Sequence, residues 1–202
     1  MNPKEYEKNV LITESCDFSA IKGRMDDRMI RLLHAGLGMS SELTELTDAA
    51  NRESGIDWVN VVEESADLAW YVAVAVNALE FDHEEISSYE SSDTVGSLFK
   101  HSFTSLTGAI SSTTWAIGNY NDLLKKHLFY GRELNMEKMK QTLQQLCVSI
   151  AGLCVVSGST IEEARNTNIK KLRARYGEKF TEAAALNRDL TTERKILEGE
   201  VV

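Results

Sequence analysis

The chain has 202 residues, enough for one domain with a sizeable hydrophobic core. Its 12 glycines, single proline and 43% hydrophobic content exclude collagen-like and disordered proteins. Acidic residues outnumber basic ones by 31 to 22, and the resulting net charge of −9 argues against DNA or RNA as the main partner.

Apolar residues recur at helical spacing almost throughout, which predicts an all-α fold of helical hairpins. The first long helical segment spans about 19–53 and ends before Gly55, a residue suited to a helix terminus. Asp57 is a suitable N-cap for a second helix over about 58–79. Within it, the run LAWYVAVAV is apolar on every side and predicts a buried segment. Asp82 is expected to cap a short continuation through EEI.

The middle of the chain contains a predicted linker. Residues 87–97 are small and polar and are interpreted as the connection between two halves. A third helix is predicted over about 98–129, followed by a turn at 130–135 and a fourth helix that ends near Val156.

The carboxyl-terminal part begins with a helix start signal. Ser159 and Glu162 have the spacing of a capping box, which predicts a fifth helix that Gly177 ends. The remaining residues, 177–202, are predicted to form an extended, charged arm with a short helix after Thr181.

Hydropathy and cysteine usage predict a reduced, cytoplasmic protein with no membrane partner. The longest apolar stretch, from Leu68 to Val76, is about half of the roughly 18 residues that a membrane span needs, and the charged start of the chain lacks a signal core. Cys16, Cys147 and Cys154 form neither a metal-type CxxC pair nor an even disulfide set. Cys147 and Cys154 share a helix face and are expected in the core.

Four acidic residues are spaced so that they can meet in one place. Glu42 and Glu45 are three residues apart, as are Glu64 and Asp67, and this spacing puts each pair on one helix face. The two pairs lie at similar distances from the turn at Gly55. In an antiparallel hairpin they sit at the same height, so we expect four carboxyl groups to converge.

Acidic pairs with this spacing also arise by chance on solvated helix faces. Two features favour a site: the stripe that holds Glu42 and Glu45 is otherwise apolar or small, and Asp67 continues into the most apolar helix. Clustered carboxylates beside an apolar surface repel one another and lose hydration, so their pKa values are expected to rise unless cations neutralise them. A set of oxygen ligands suits Mg²⁺, or alternatively Mn²⁺.

The segments around these acids resemble a known family. GMSSELTELTDA followed by VVEESADLAWY is similar to the ExxE…ExxD signature of MazG-like nucleoside triphosphate pyrophosphohydrolases, the all-α NTP pyrophosphatase superfamily. NIKKLRARYGEKF, with NRDL and ER further on, resembles the carboxyl-terminal part of MazG-like phage and bacterial proteins. The resemblance covers about 32–86 and 123–197 and implies a MazG-like fold with a core like a four-helix bundle.

The resemblance implies Mg²⁺-dependent hydrolysis of an NTP or dNTP to a monophosphate and pyrophosphate. Glu42, Glu45, Glu64 and Asp67 would then be both the metal ligands and the catalytic residues. One of them, for example Glu45, would alternatively orient or deprotonate the attacking water. The sequence does not predict which nucleotide is preferred.

The second half resembles a further copy of the same family core. An internal repeat relates the half at 19–86 to the half at 98–176, although chance similarity between two amphipathic hairpins is an alternative. At the positions of the four acids this half carries Ala116, Asn119, Thr142 and Gln145. We therefore expect one metal site per chain in a pseudo-duplicated single domain. Because family members pair helical bundles, the resemblance also allows a homodimer.

A triphosphate also needs cations from the protein. Lys171 and Arg175 are four residues apart on one helix face and are predicted to contact phosphate, with Asn168 as a weaker candidate. The alternative is an exposed basic face that balances the acidic domain.

The residues that would recognise the nucleotide base are less clearly marked in the sequence. His34 lies eight residues before Glu42 on nearly the same face and is predicted to line a nucleoside pocket, the alternative being a core histidine. A tryptophan can stack on a base, but core packing is the favoured interpretation for Trp58, Trp70 and Trp115.

Two other functions fit an acidic helical protein. A di-iron carboxylate bundle requires two Glu-x-x-His helices, and only Glu80–His83, at a predicted helix end, has that spacing. The stronger alternative is a non-catalytic nucleotide-binding or regulatory protein that keeps the fold.

Overall fold

All regular structure in the computed structural model is helical within 1–90 and 105–200, the residues that the structure describes. Helices make up 78% of these described residues, so the predicted all-α fold is confirmed. In chain order the helices are α1 (Pro3–Thr13), α2 (Phe18–Gly23), α3 (Asp27–Ala50), α4 (Trp58–Ala78), α5 (His83–Ser87), α6 (Leu106–Tyr130), α7 (Met136–Val156), α8 (Ile161–Tyr176), α9 (Glu182–Leu186) and α10 (Leu190–Leu197). A short 3-10 turn, Ser88–Glu90, follows α5.

The core lies between two helical hairpins. α3 and α4 form the first and α6 and α7 the second, while α4 packs against α7 and α3 against α6. One apolar cluster runs through all four helices, as their recurring apolar positions predict. The fully buried Tyr120 of α6 joins the hairpins, because its hydroxyl donates a 2.9 Å hydrogen bond to the carbonyl oxygen of Leu32 on α3.

Aspartate side chains start the helices of the first hairpin. The segment 19–53, predicted as one helix, is two, because Asp26 accepts a 2.7 Å hydrogen bond from the Met29 amide and starts α3 afresh. α3 also ends earlier than predicted. Asp57 caps α4 and Asp82 caps α5, as predicted.

The second hairpin begins beside the residues that the structure does not describe. Of the predicted linker at 87–97, the first part is helical and 91–97 lie outside the described residues, as do 98–104 of the predicted third helix. α6 starts at its N-cap Ser105 and ends at Gly131, whose φ of +66° suits a residue without a side chain.

The capping box that starts α8 lies one residue later than predicted. Thr160 accepts a hydrogen bond from the amide of Glu163, whose carboxylate accepts one from the Thr160 amide, so the box does not involve Glu162. Ser159 donates a 3.2 Å hydrogen bond to the Glu163 carboxylate from outside the helix. The prediction was wrong by one residue because both frames have the same spacing. Gly177 ends α8 as predicted.

The carboxyl-terminal residues fold back onto the protein, so the predicted extended arm is wrong. The short helix predicted after Thr181 is confirmed as α9, and α10 follows it and packs against α8. Glu193 of α10 is only 4% exposed because it pairs with Arg175 and Arg188. Polar pairs hold this contact, so apolar periodicity did not reveal it.

The tryptophans are exposed, and the core packing predicted for them is wrong. Their exposed fractions are 41%, 37% and 65% for Trp58, Trp70 and Trp115. The run LAWYVAVAV is buried on most sides only, since Trp70 and Ala73 reach the surface of α4. A uniformly apolar run does not reveal which of its faces lacks a neighbour.

Two observations concern the predictions about the cysteines and about a membrane span. Cys147 and Cys154 are free and buried, as predicted for core residues, and Cys16 is free and exposed. Among the described residues no single helix is long and apolar enough to cross a membrane; only α7 and α8 taken together, bent by 91° at their junction, reach that length and hydropathy.

Two glycines provide a test of packing around α3. A Cβ atom on Gly38 would lie 2.1 Å from ring atoms of Tyr71, whereas one on Gly118, inside α6, would meet open space. We expect Gly38→Ala to lower the free energy of unfolding by about 1–3 kcal/mol through overpacking. Gly118→Ala should raise it by about 0.5–1 kcal/mol, because alanine loses less backbone entropy in a helix. Urea unfolding of both variants measures this, and equal midpoints would contradict the packing.

Candidate metal centre

The first hairpin brings the predicted acids to one cavity. One carboxylate oxygen from each of Glu42, Glu64 and Asp67 lies within 4.8 Å of the other two. Glu45, the fourth predicted residue, is outside this group but lines the same cavity, which has a volume of about 400 Å³. The predicted convergence is therefore seen in full for three acids, and Glu45 lies nearby.

Burial and mutual repulsion set the protonation of these acids. Glu64 is 5% exposed. Burial, the neighbouring charge of Glu63 and a hydrogen bond with Glu42 raise the pKa of Glu64 to about 10. Burial also raises the pKa of Glu42, while its hydrogen bond with Glu64 acts in the opposite direction. Without a cation the site therefore retains a proton that two ordinary carboxylates would release.

Lys171 and Asn168 bind the cluster directly instead of pointing into solvent. The ammonium group of Lys171 lies 2.6 Å from Asp67 Oδ2 and 3.0 Å from Glu63 Oε1, and the side chain is 1% exposed. Asn168 donates a 2.5 Å hydrogen bond to the other oxygen, Asp67 Oδ1. Burial alone would lower the pKa of Lys171, but the two carboxylates raise it above its usual value. The exposed basic face offered as an alternative is wrong for this residue.

The donor set fits a small divalent cation. All the grouped atoms are carboxylate oxygens, the ligands that Mg²⁺ prefers, whereas sites for softer metals use sulfur or imidazole. Bonds of 2.0–2.1 Å to an octahedral Mg²⁺ place its ligands at most about 4.2 Å apart, so small side-chain rotations would suffice. Both oxygens of Asp67 already accept a hydrogen bond. Each carboxylate oxygen has a second lone pair that can still bind a metal.

Two arginines line one part of the cavity, here called the cavity edge. Arg175, the second predicted phosphate contact, lines it together with Arg188. Both guanidinium groups bind Glu193: Arg175 through Nε at 2.7 Å and a terminal nitrogen at 2.6 Å, and Arg188 at 2.7 Å. Arg175 therefore lines the cavity with its charge shared with a carboxylate, and its contact with phosphate stays a prediction.

Aromatic side chains form another part of the cavity lining, here called the aromatic wall. His34 is exposed, so the alternative of a core histidine is wrong, and its ring centroid lies 5.5 Å from that of Tyr71 and 6.1 Å from that of Trp70. Tyr176 and Phe180, with ring centroids 5.2 Å apart, line the same cavity from the end of α8. The cavity thus combines a carboxylate cluster with a set of flat rings.

The second hairpin has a cavity of its own. Asn119, Thr142 and Gln145, three of the four positions aligned with the acids, line a space of about 440 Å³. Ala116 is buried in the core. Across the described residues, the acids of the first hairpin are the only group of three or more metal-type side chains that lie this close together. The expectation of one metal site per chain stays a prediction.

The single Glu-x-x-His motif does not lie on one helix. Glu80 adopts a φ of +56° in the break after α4, and His83 begins α5. The two side chains therefore lack the one-face arrangement that a di-iron bundle requires.

Several residues of the cavity were not predicted. Glu63 precedes Glu64 and lies four residues before Asp67, so helical spacing alone would have revealed it. Arg188 and Phe180 reach the cavity only because the chain reverses after Gly177. No local pattern in the sequence predicts that reversal.

Comparisons with models of known protein families, with curated proteins and with solved structures found no match for this chain. The similarity to MazG-like enzymes therefore stays a prediction from the sequence, and the function is proposed from the site.

Proposed function

We propose that this protein is a Mg²⁺-dependent nucleoside triphosphate pyrophosphohydrolase, which converts an NTP or dNTP to a monophosphate and pyrophosphate. The observation that carries the proposal is the meeting of Glu42, Glu64 and Asp67 from two helices, with oxygen atoms within 4.8 Å of one another. The resemblance of the surrounding segments to MazG-like enzymes supports the same reaction.

Glu42, Glu64 and Asp67 are the residues that would hold Mg²⁺, or alternatively Mn²⁺, with Glu45 as a further ligand. When bound, the metal would offset the charge of the triphosphate and stabilise charge that develops on its oxygens. Glu45 is exposed, unlike the buried Glu64. An exposed carboxylate in contact with solvent suits the second role proposed for it, which is to orient a water molecule and accept its proton.

The cations of the site divide into two groups. Lys171 and Asn168 hold the oxygens of Asp67 and Glu63, so we propose that they first keep the acidic cluster in place. Arg175 and Arg188 lie at the cavity edge with planar guanidinium groups, which match phosphate oxygens in a bidentate manner. Two carboxylates accept hydrogen bonds from the Lys171 ammonium group, which has three N–H donors, and its contact with phosphate stays a prediction.

The aromatic wall suits the nucleoside part of the substrate. Trp70, Tyr71 and His34 present flat rings beside the acids, and rings of this kind stack on any base. A cavity of about 400 Å³ is within the range that small-molecule ligands occupy. We therefore propose a free nucleotide as the substrate. The proposal places the reaction in the cytoplasm and includes no role for nucleic acid or membrane. The homodimer stays a prediction.

A product assay tests the proposal directly. The purified chain is incubated with Mg²⁺ and each of the eight common NTPs and dNTPs, and released pyrophosphate and monophosphate are measured. We expect both products in equal amounts from at least one nucleotide, and none when EDTA removes the metal. Release of orthophosphate and a diphosphate instead would contradict cleavage between the α and β phosphates.

The competing function has its own outcome in the same experiment. A non-catalytic nucleotide-binding protein would bind nucleotide and Mg²⁺ in calorimetry and release no pyrophosphate from any of the eight. That result would contradict the proposed enzyme and support a nucleotide-binding protein.

A further inference from the structure

One carboxylate joins the two arginines of the cavity edge. Glu193 accepts two hydrogen bonds from Arg175 and one from Arg188, all between 2.6 and 2.7 Å. Its side chain is 5% exposed, whereas Arg188 is 39% exposed. Glu193 itself lies outside the acidic cavity, which both of its partners line. It therefore touches the cavity only through them.

A reversal of the chain after α8 places Glu193 beside the two arginines. After Gly177 the backbone reverses, forms α9, and starts α10 at Asp189, which caps that helix. Arg194, the next residue, holds the same helix to the start of α4 through Asn60 at 2.9 Å and Asp57 at 3.3 Å. α10 is thus attached on two sides, and only the Glu193 side leads to the cavity.

The charges of Glu193 and its two arginine partners do not cancel. Two guanidinium groups and one carboxylate leave a net positive charge at the edge of a cavity that five carboxyl side chains line. Burial would raise the pKa of Glu193, but hydrogen bonds from Arg175 and Arg188 hold it below its ordinary value, so the carboxylate stays ionised at neutral pH. The bidentate contact uses Nε and one terminal nitrogen of Arg175, and the other terminal nitrogen is not part of the pair.

We propose that Glu193 is a positioning residue that holds the Arg175 and Arg188 guanidinium groups at the edge of the acidic cavity to receive the phosphates of a polyphosphate ligand. This inference rests on the proposed function for the identity of the ligand. Two long side chains that are fixed before binding lose less rotamer entropy when they bind. The same contact would instead inhibit binding if Glu193 competed with phosphate for the arginines, and the experiment separates these outcomes.

The test compares two variants of the same helix. Glu193→Gln keeps the side chain's size and removes the charge that aligns both arginines, whereas Arg194→Ala removes the other attachment of α10 and leaves Glu193 intact. The probe is inorganic tripolyphosphate with Mg²⁺, titrated calorimetrically into the full chain. Because charge-assisted hydrogen bonds are involved, we expect Glu193→Gln to weaken binding about tenfold or more. Arg194→Ala should bind within about twofold of the wild type, since surface ion pairs contribute little.

A second variant covers the case in which Glu193→Gln fails to fold. Arg188→Gln changes a residue that is partly exposed, and it should also weaken tripolyphosphate binding about tenfold. Wild-type affinity in Arg188→Gln, or in a folded Glu193→Gln, would overturn the inference, as would tighter binding by Glu193→Gln, which indicates inhibition. A wild-type chain that does not bind tripolyphosphate would overturn it too.

Steady-state kinetics separate this inference from the proposed function. Where the chain hydrolyses a nucleotide, Glu193→Gln should raise KM about tenfold and change kcat little, because the arginines bind ground state and transition state alike. Hydrolysis with an unchanged KM would defeat the positioning role alone. Tripolyphosphate binding that depends on Glu193, without hydrolysis of any nucleotide, would defeat the proposed enzyme alone.

Discussion

Substitution of Glu64 by glutamine is expected to abolish Mg²⁺-dependent pyrophosphate release while the protein stays folded. Glu64 is buried against Glu42, and its pKa is raised, so glutamine reproduces the shape of the protonated acid that the metal-free fold already contains. Glutamine cannot become the anionic ligand that Mg²⁺ prefers. If the metal supplies several kcal/mol of transition-state stabilisation, the rate should fall by roughly a thousandfold or more.

The matched control is Asp48→Asn, which removes one negative charge from an exposed position on α3, three residues after Glu45. Its activity should stay within about twofold of the wild type, because screened surface charges interact weakly. Pyrophosphate release and circular dichroism are measured for both variants. Substantial activity in a folded Glu64→Gln variant would remove this residue from the proposed chemistry.

Magnesium is expected to raise the melting temperature, and the increase should grow with pH. The folded chain raises the pKa of Glu64 from 4.5 to about 10, so between these values the folded state holds a proton that the unfolded state has released. Metal-free stability therefore falls as pH rises through this window. Mg²⁺ requires the deprotonated carboxylate, so its binding releases that proton and strengthens over the same range.

The size of the increase in melting temperature follows from mass action. At a hundredfold excess over its Kd, Mg²⁺ adds about 2.7 kcal/mol to the free energy of unfolding. For a chain of this length that corresponds to roughly 5–10 °C. Thermal melts at pH 6, 7 and 8, with and without MgCl₂ at constant ionic strength, measure the effect.

Glu64→Gln is the control for these melts, because it carries no proton to release at this position. Without metal it should melt above the wild type at pH 8, and Mg²⁺ should shift it little at any pH. An equal shift of the wild type and Glu64→Gln would mean that Mg²⁺ acts on the general acidity of the surface and leaves the cluster unoccupied.

The acidic cluster was predictable because it depends on local periodicity. The spacing of Glu42 from Glu45 and of Glu64 from Asp67 selects one face of each helix, and a short turn makes the two helices antiparallel. Caps at Asp57 and Asp82 were visible for the same reason, since a cap acts on amide groups two or three residues away. The helix break at Asp26 was missed, because an apolar pattern continues across it.

The surroundings of the cluster were not predictable in this way. Lys171 and Asn168 were proposed for phosphate and lie on Asp67, more than a hundred residues earlier in the chain. The sequence shows that a helix is basic but not which helix it docks against, and a buried ammonium group binds the carboxylates that it meets. The exposed Trp70 shows the same limit for apolar residues, because burial depends on whether a neighbouring element covers that face.

The sequence by itself determined the helices, the hairpin turn of the first half and the two pairs of acids, since all of these depend on residues within a few turns of one another. Only the tertiary structure decided that α8 brings a buried lysine to Asp67, that α10 folds back, and that Glu193 joins two arginines at the cavity edge. These contacts link separate segments through a few polar atoms. Their formation depends on the packing of whole helices, which no periodic pattern in the chain records.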